Sequence, residues 1–144
     1  MMVRVRRISL DDPLYAQECD LRERVLLEPL GYDMDRFRRE FQVEDLFEHF
    51  VATFEHPTGI RVVGCVTLLP DRPEEGTGKL AQMAVDPQRQ GEGIGRRLVV
   101  AVESRAFGEL GLERLMCHAR EDAIPFYARL GWVVDSDVFE EAGI

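Results

Sequence analysis

The chain has 144 residues, of which 45% are hydrophobic and 31% charged, as expected of one globular domain with one core. Its formal net charge of −9 argues against broad nucleic-acid binding, which needs a basic face. No apolar run approaches the roughly 20 residues that span a bilayer, and the basic N-terminal residues are not followed by a signal-peptide core.

The first half of the chain alternates between strand-like and helix-like patterns. Period-two alternation indicates strands, and apolar residues spaced three to four apart indicate helices. The predicted elements, in order, are a strand Val3–Leu10, a helix from Pro13 to about Glu28, a loop with a short helix over Met34–Glu48, and hairpin strands His49–Glu55 and Ile60–Pro70.

The second half continues with strands and helices in alternation. The predicted elements are a strand Lys79–Val85, a helix from about Gly93 to Phe107, a strand Arg114–Ala119, a helix Asp122–Leu130 and a last strand that begins at Trp132. Three consecutive strands favour antiparallel pairing, and the later strand–helix–strand order favours a parallel crossover. We therefore predict a single α+β domain, residues 1–144, with a mixed sheet flanked by helices.

A glycine-rich turn joins the strand that ends at Val85 to the following helix. Its sequence, VDPQRQGEGIG, places three glycines within five residues. Such a turn brings unpaired amides and the positive end of the helix dipole to one point, which suits an anion. The alternative is a tight turn in which the glycines serve backbone geometry alone.

Neither nucleotide motif fits this turn: the dinucleotide fingerprint requires G-x-G-x-x-G, and the P-loop requires a lysine that is absent. The pattern Gln90-x-x-Gly93-x-Gly95, preceded by VDP, instead resembles the acetyl-CoA diphosphate loop of the GNAT acetyltransferase superfamily. The segment AIPFYARLGW, Ala123–Trp132, is similar to a second landmark of that superfamily, and LRERVLLEPLG, Leu21–Gly31, to the first-helix region of one of its branches.

The resemblance implies a GNAT-like fold whose sheet is splayed between strands 79–85 and 114–119. It also implies that acetyl-CoA is the cosubstrate and lies against the strand that precedes the turn, with no metal required. The implied cofactor-binding residues are Met83, Ala84, Val85, Gln90, Gly91, Glu92, Gly93, Ile94, Gly95 and Arg96. This sequence departs from the family by having Glu121 and Asp122 where an Asn is common. It also stops at Ile144, where the family usually has one more strand, and two interpretations stay open: a shortened chain, or a closing strand that is missing.

For catalysis, the resemblance makes Tyr127 the candidate general acid toward the thiolate leaving group. A free tyrosine has a pKa of about 10 and a thiol of about 8.5, so full proton transfer is uphill by about 2 kcal/mol. We therefore expect mainly a hydrogen bond to sulfur, with simple packing as the alternative. His118 is the candidate general base because histidine titrates near neutrality. A structural histidine, Glu28, Glu121 and relay through water are the alternatives.

The remaining residues have less specific interpretations. Cys19, Cys65 and Cys117 lack metal-ligand spacing and are predicted to be buried, reduced thiols, which suits a cytoplasmic protein. The acidic residues are predicted to lie on the solvated surface, with a weaker hypothesis that one group attracts a basic substrate; the groups concerned are Glu44, Asp45 and Glu48, and Asp71, Glu74 and Glu75.

The leading hypothesis is thus an N-acetyltransferase that moves an acetyl group from acetyl-CoA to an amine by direct attack in a ternary complex. The acceptor is a small-molecule or peptide amine, with neither nucleic acid nor membrane as a partner, and the resemblance suggests a homodimer. Two alternatives stay open: a non-catalytic acyl-CoA-binding module, and an α/β protein-interaction domain without a cofactor.

Overall fold

The computed structural model describes residues 2–134 and contains one five-stranded sheet in the order β1-β2-β3-β4-β5. The strands are β1 Arg4–Ile8, β2 Glu48–His56, β3 Gly59–Leu69, β4 Thr77–Val85 and β5 Arg114–Met116. Neighbours from β1 to β4 pair antiparallel, including the predicted β2–β3 hairpin, and β5 pairs parallel with β4. This mixed sheet confirms the predicted α+β fold.

Helices cover both faces of the sheet. Within the described residues they are α1 Tyr15–Arg22, α2 Met34–Phe41, α3 Ile94–Glu103 and α4 Ile124–Arg129. Two of them continue as π-helical turns, α1 through Leu27 and α3 through Glu109, so their full lengths agree with the sequence pattern. No helix among residues 2–134 is long and apolar enough to cross a bilayer.

The packing of α3 against the sheet determines where its first turn lies. Its buried residues Leu98 and Val102 contact an apolar cluster on one sheet face, together with residues of β2, β3 and β4. A Cβ atom added to Gly64 of β3 would lie 2.8 Å from Ile94 Cγ2, closer than real Cβ contacts allow. Gly64 pairs with Val85 at the end of β4, so the missing side chain lets α3 begin beside that strand end.

The C-terminal part of the sheet differs from the prediction. β5 ends at Met116 rather than Ala119, because its ladder with β4 has only three residue pairs and ends at Lys79. The last predicted strand, beginning at Trp132, is also wrong over 132–134, which is irregular. The rest of that strand, and the question of a missing final strand, lie outside the described residues.

Candidate functional site

The glycine-rich turn forms the connection between β4 and α3, as predicted. The Asp86 carboxylate accepts a hydrogen bond of 3.0 Å from the Gln88 amide and begins a 3₁₀ turn over Pro87–Arg89. Gly91 and Gly93 follow with φ of 87° and 80°, in the left-handed region that favours glycine. A Cβ added at either position would meet nothing within 4 Å, so the space outside the backbone is open.

The first turn of α3 presents its amides to this open space. Gly93 is the N-cap and has no side chain to accept from them, and the first helical bond joins the Arg97 amide to the Gly93 carbonyl at 3.1 Å. The amides of Ile94, Gly95 and Arg96 therefore have no helical partner, at the positive end of the helix dipole. The Arg96 side chain is exposed at the same end. This arrangement can bind an anionic group.

The neighbouring arginines take part in the structure of the fold. The Arg97 guanidinium donates to the Val3 carbonyl of the chain segment before β1. The Arg89 guanidinium lies 4.2 Å from the centre of the Phe54 ring and 3.8 Å from the Glu92 carboxylate. Arg89 lies in the glycine-rich turn, whereas Arg97 lies in α3.

The strand that leads into the turn carries a β-bulge. Cys65 pairs with Ala84 and Thr67 with Ala81, so a single residue of β3 faces both Gln82 and Met83 of β4. Gln82 has φ of 50°, and among the described residues it is the only non-glycine strand residue with positive φ. A bulge bends the strand and increases its twist.

On the side of β4 opposite β3, pairing with β5 ends before the bulge. Because the β4–β5 ladder ends at Lys79, residues 80–85 have no strand partner on that side within the described part of the chain. The Met83 side chain instead reaches Gly95, where an added Cβ would lie 3.9 Å from Met83 Sδ and 3.3 Å from Phe126 Cζ. The structure therefore brings together β4, the first turn of α3 and α4.

Tyr127 lies beside Phe126 in α4, with its ring packed against Phe126 and Trp132 at centroid distances of 5.0 and 5.2 Å. The Cys117 thiol is an electrostatic neighbour of the Tyr127 hydroxyl. Burial, together with the adjacent Cys117, raises the pKa of the Tyr127 hydroxyl above its ordinary value. The raised pKa makes the hydroxyl a weaker acid, so it gives up its proton less readily. It can still donate a hydrogen bond.

His118 does not lie on a strand, contrary to the prediction, because β5 ends two residues before it. It is exposed in the irregular segment 117–120. Cys117 and Cys19 are only partly buried, whereas Cys65 is fully buried, and all three thiols are free. Burial raises the pKa of the Cys117 thiol, which disfavours the reactive thiolate.

The structure also shows a buried polar network that sequence analysis missed. Its centre is the fully buried Arg22 guanidinium, which pairs with Glu44 through two hydrogen bonds of 2.7 and 2.8 Å. Arg22 also donates to Glu18 at 3.0 Å and to the Gln82 side-chain oxygen at 3.1 Å. We call these four residues, with Tyr15 and His49, the Arg22 network.

The other two residues of the Arg22 network contact the carboxylates of Glu18 and Glu44: His49 from β2 and Tyr15 from α1. The His49 Nδ1 atom lies 2.7 Å from Glu18, and the Tyr15 hydroxyl donates to Glu44 at 2.5 Å. The second oxygen of Glu18, Oε1, is buried without a hydrogen-bond partner among the described residues. Although ligand atoms of Glu18, Glu44 and His49 lie within 4.8 Å of one another, Arg22 bonds to both carboxylates, so the cluster is a set of ion pairs.

This network contradicts the predicted surface position of Glu44, which is buried with 6% of its surface exposed. Glu48 is likewise partly buried and pairs with Arg105 at 2.8 Å. Burial alone would raise the pKa of Glu44, but hydrogen bonding and charge from Arg22 hold that pKa below its ordinary value. The spacing of Glu18 and Arg22, four residues apart on the helix face that also carries Leu21, was the signal available in the sequence.

Comparison with known proteins identifies the family of the chain. The sequence model described as "Acetyltransferase (GNAT) family" matches residues 14–132. A comparison with curated proteins found no match.

Solved structures share the fold over almost the whole chain. An acetyltransferase from Trypanosoma brucei is similar with a TM-score of 0.71 and 20% identity, covering 97% of this chain and 99% of that one. A GCN5-related N-acetyltransferase from Ralstonia eutropha has a TM-score of 0.69 and 23% identity, covering 97% and 98%. A glucosamine-6-phosphate N-acetyltransferase from Arabidopsis thaliana has a TM-score of 0.67 and 15% identity, covering 98% of both chains.

Proposed function

The chain belongs to the GNAT acetyltransferase family, and on that basis we propose that it transfers an acetyl group from acetyl-CoA to an amine. In this reaction the amine nitrogen forms a bond to the acetyl carbon and the carbon–sulfur bond breaks. The acceptor ammonium loses its proton to a base or to water, and the departing thiolate takes up a proton. Acetyl-CoA, when bound, supplies the activated thioester.

The observation that carries the proposal is the open backbone at the start of α3. Gly91 and Gly93 leave the space before the helix clear, and Gly93 offers no competing side-chain acceptor to the first amides. These features fit a diphosphate, whose charge the amides and the helix dipole would stabilise. We assign diphosphate binding to the amides from Gly91 to Arg96, with Gln90 shaping the turn.

The unpaired side of β4 supports a second part of the site. Backbone groups of Met83 and Val85 would bind an extended pantetheine arm in the manner of an added strand. An amide near Val85 would stabilise the oxyanion that develops on the acetyl carbonyl. The end of the β4–β5 ladder at Lys79 provides the strand edge that this binding requires.

Tyr127 is proposed to donate a hydrogen bond to the leaving sulfur. The raised pKa of its hydroxyl makes complete proton transfer to a thiolate less favourable than for a free tyrosine. The hydroxyl lies in a partly buried environment with the Cys117 thiol as an electrostatic neighbour. The role therefore requires a hydrogen bond to the sulfur of the cofactor and no complete proton transfer.

The proposal also includes the acceptor amine and the base that removes its proton. His118 is exposed near the end of β5 and is proposed to accept the proton from the ammonium, directly or through water. Small-molecule and peptide amines both fit the proposal. Cytoplasmic location and a homodimer stay predictions.

Two experiments test the proposal against its alternatives. Calorimetric titration with acetyl-CoA measures binding, and release of free thiol over a panel of amines measures turnover. Binding with amine-dependent thiol release supports the proposed transferase. Binding without release from any amine would favour a non-catalytic acyl-CoA-binding module, and no binding at millimolar acetyl-CoA would favour an interaction domain without a cofactor.

A further inference from the structure

We propose that the Arg22 network is a positioning device that fixes the β4 bulge and thereby the strand edge used for acyl transfer. This inference rests on the proposed function. Its residues do not touch the reacting atoms; they act through the backbone of Gln82 and the residues that follow it.

The bulge needs support because its conformation is costly. An L-residue with φ near that of Gln82, 50°, is about 1–2 kcal/mol less stable than one in an ordinary region. Gln82 is also 93% removed from solvent, with 7% of its surface exposed, so its side-chain amide requires a protein partner. The Arg22 Nε atom provides that partner at 3.1 Å.

Arg22 is itself held rigidly. Its guanidinium bonds to Glu44 twice and to Glu18 once, at distances between 2.7 and 3.0 Å. Arg22 and Glu18 have no exposed surface, and the bonds to Glu44 raise the pKa of Arg22 although burial opposes this, so the guanidinium stays charged. A planar group bonded on several sides has little freedom to rotate. Its hydrogen bond to Gln82 therefore holds the Gln82 side chain in one orientation.

Bonds from β3 hold the main chain of the bulge from the same side. The Thr67 hydroxyl donates to the Ala81 carbonyl at 2.9 Å. The Cys65 thiol donates to the Gln82 carbonyl at 3.8 Å, a weaker contact. Side chains of α1 and β3 thus bond to the bulge while its opposite edge has no strand partner among the described residues.

The consequence concerns the residues directly after the bulge. A shift of the bulge would change which groups of Met83 and Val85 face the open edge, since one residue of slip exchanges the two faces of a strand. A misplacement of about 1 Å in a reacting geometry can reduce turnover about 100-fold. We therefore expect the Arg22–Gln82 hydrogen bond to influence turnover more than cofactor affinity.

The test is Gln82→Met, which keeps the side-chain length and removes the acceptor. The matched control is Gln17→Met on the same helix as Arg22. Gln17 also bonds to β3, at 2.9 Å to the Val62 amide and 3.0 Å to the Ile60 carbonyl, but it does not contact the bulge. Thr67→Val is a second variant that removes a bulge contact with little change in volume.

The inference predicts that Gln82→Met lowers kcat about tenfold to 100-fold while the Kd of acetyl-CoA changes less than about threefold. Amide NMR shifts of Met83 and Val85 should move in the ligand-free protein. Gln17→Met should leave both kcat and these shifts unchanged, and Thr67→Val should change both in the direction of Gln82→Met.

Parent-like kcat and parent-like shifts in a folded Gln82→Met protein would overturn the inference. If Gln82→Met does not fold, parent-like values in Thr67→Val would overturn it. Failure of the parent protein to bind acetyl-CoA or to release thiol would instead refute the proposed function, which separates the two outcomes.

Discussion

A charge placed at Gly93 should weaken acetyl-CoA binding if the start of α3 binds a diphosphate. Gly93→Asp introduces a carboxylate at the N-cap, where an added Cβ meets nothing within 4 Å. Gly93→Asn is the matched control because it is isosteric and uncharged, and both residues tolerate the left-handed region better than most L-residues. The difference between the two variants isolates the charge from the backbone cost.

The expected magnitude follows from Coulomb's law. A carboxylate and one phosphate charge about 5 Å apart repel by about 0.8 kcal/mol in water and about 3 kcal/mol at the effective dielectric constant of a protein surface. These energies correspond to about fourfold and about 200-fold in Kd. We expect Gly93→Asp to bind acetyl-CoA weaker than Gly93→Asn by a factor within this range.

Isothermal titration with acetyl-CoA measures the two dissociation constants directly. Repeating it at high salt should reduce the difference, because exposed charges are screened within about 10 Å at 0.1 M ionic strength. Equal dissociation constants for the Asp and Asn variants at low salt would refute diphosphate binding at this turn.

Three further predictions concern catalysis and stability. Tyr127→Phe should lower kcat about 10- to 100-fold with little change in the Kd of acetyl-CoA, because it removes a hydrogen bond to a charged leaving group; unchanged turnover by stopped-flow thiol detection would return the residue to packing alone. Gly64→Ala should cost about 1–3 kcal/mol in urea unfolding because its Cβ would lie 2.8 Å from a side chain of α3, whereas Gly108→Ala, whose Cβ meets nothing within 4 Å, should not destabilise the protein. Glu44→Gln should cost about 3–5 kcal/mol at pH 7 by leaving Arg22 without its main partner. Since the folded-state pKa of Glu44 is lowered, its contribution is complete above the unfolded pKa of about 4.3 and is lost as pH falls through the folded pKa. Urea unfolding should therefore show the difference from the parent shrinking in acid, and a constant difference would contradict the assignment.

The elements that sequence analysis predicted well are those whose cause is local. Periodicity indicates the length of α3, which buries one face, and continuous apolar runs indicate β2 and β3, which are buried on both faces. The glycine turn was predictable for the same reason, since left-handed positions such as Gly91 and Gly93 strongly favour glycine.

The features that were missed depend on contacts between distant segments. Glu44 is buried because Arg22, 22 residues away, neutralises it, and a single acidic residue in a charged stretch carries no sign of that partner. The short β5 depends on where its ladder with β4 ends, which the apolar pattern of 114–119 does not encode. The bulge at Gln82 falls in a sequence that would equally suit a regular strand.

Amide NMR during titration with acetyl-CoA tests most directly whether main-chain donors at the start of α3 hold the cofactor. The account predicts that the largest chemical-shift changes occur at Gly91, Gly93, Gly95 and Arg96, with a second group at Met83 and Val85. Saturable binding whose largest shifts lie elsewhere, with the amides from Gly91 to Arg96 unmoved, would contradict it.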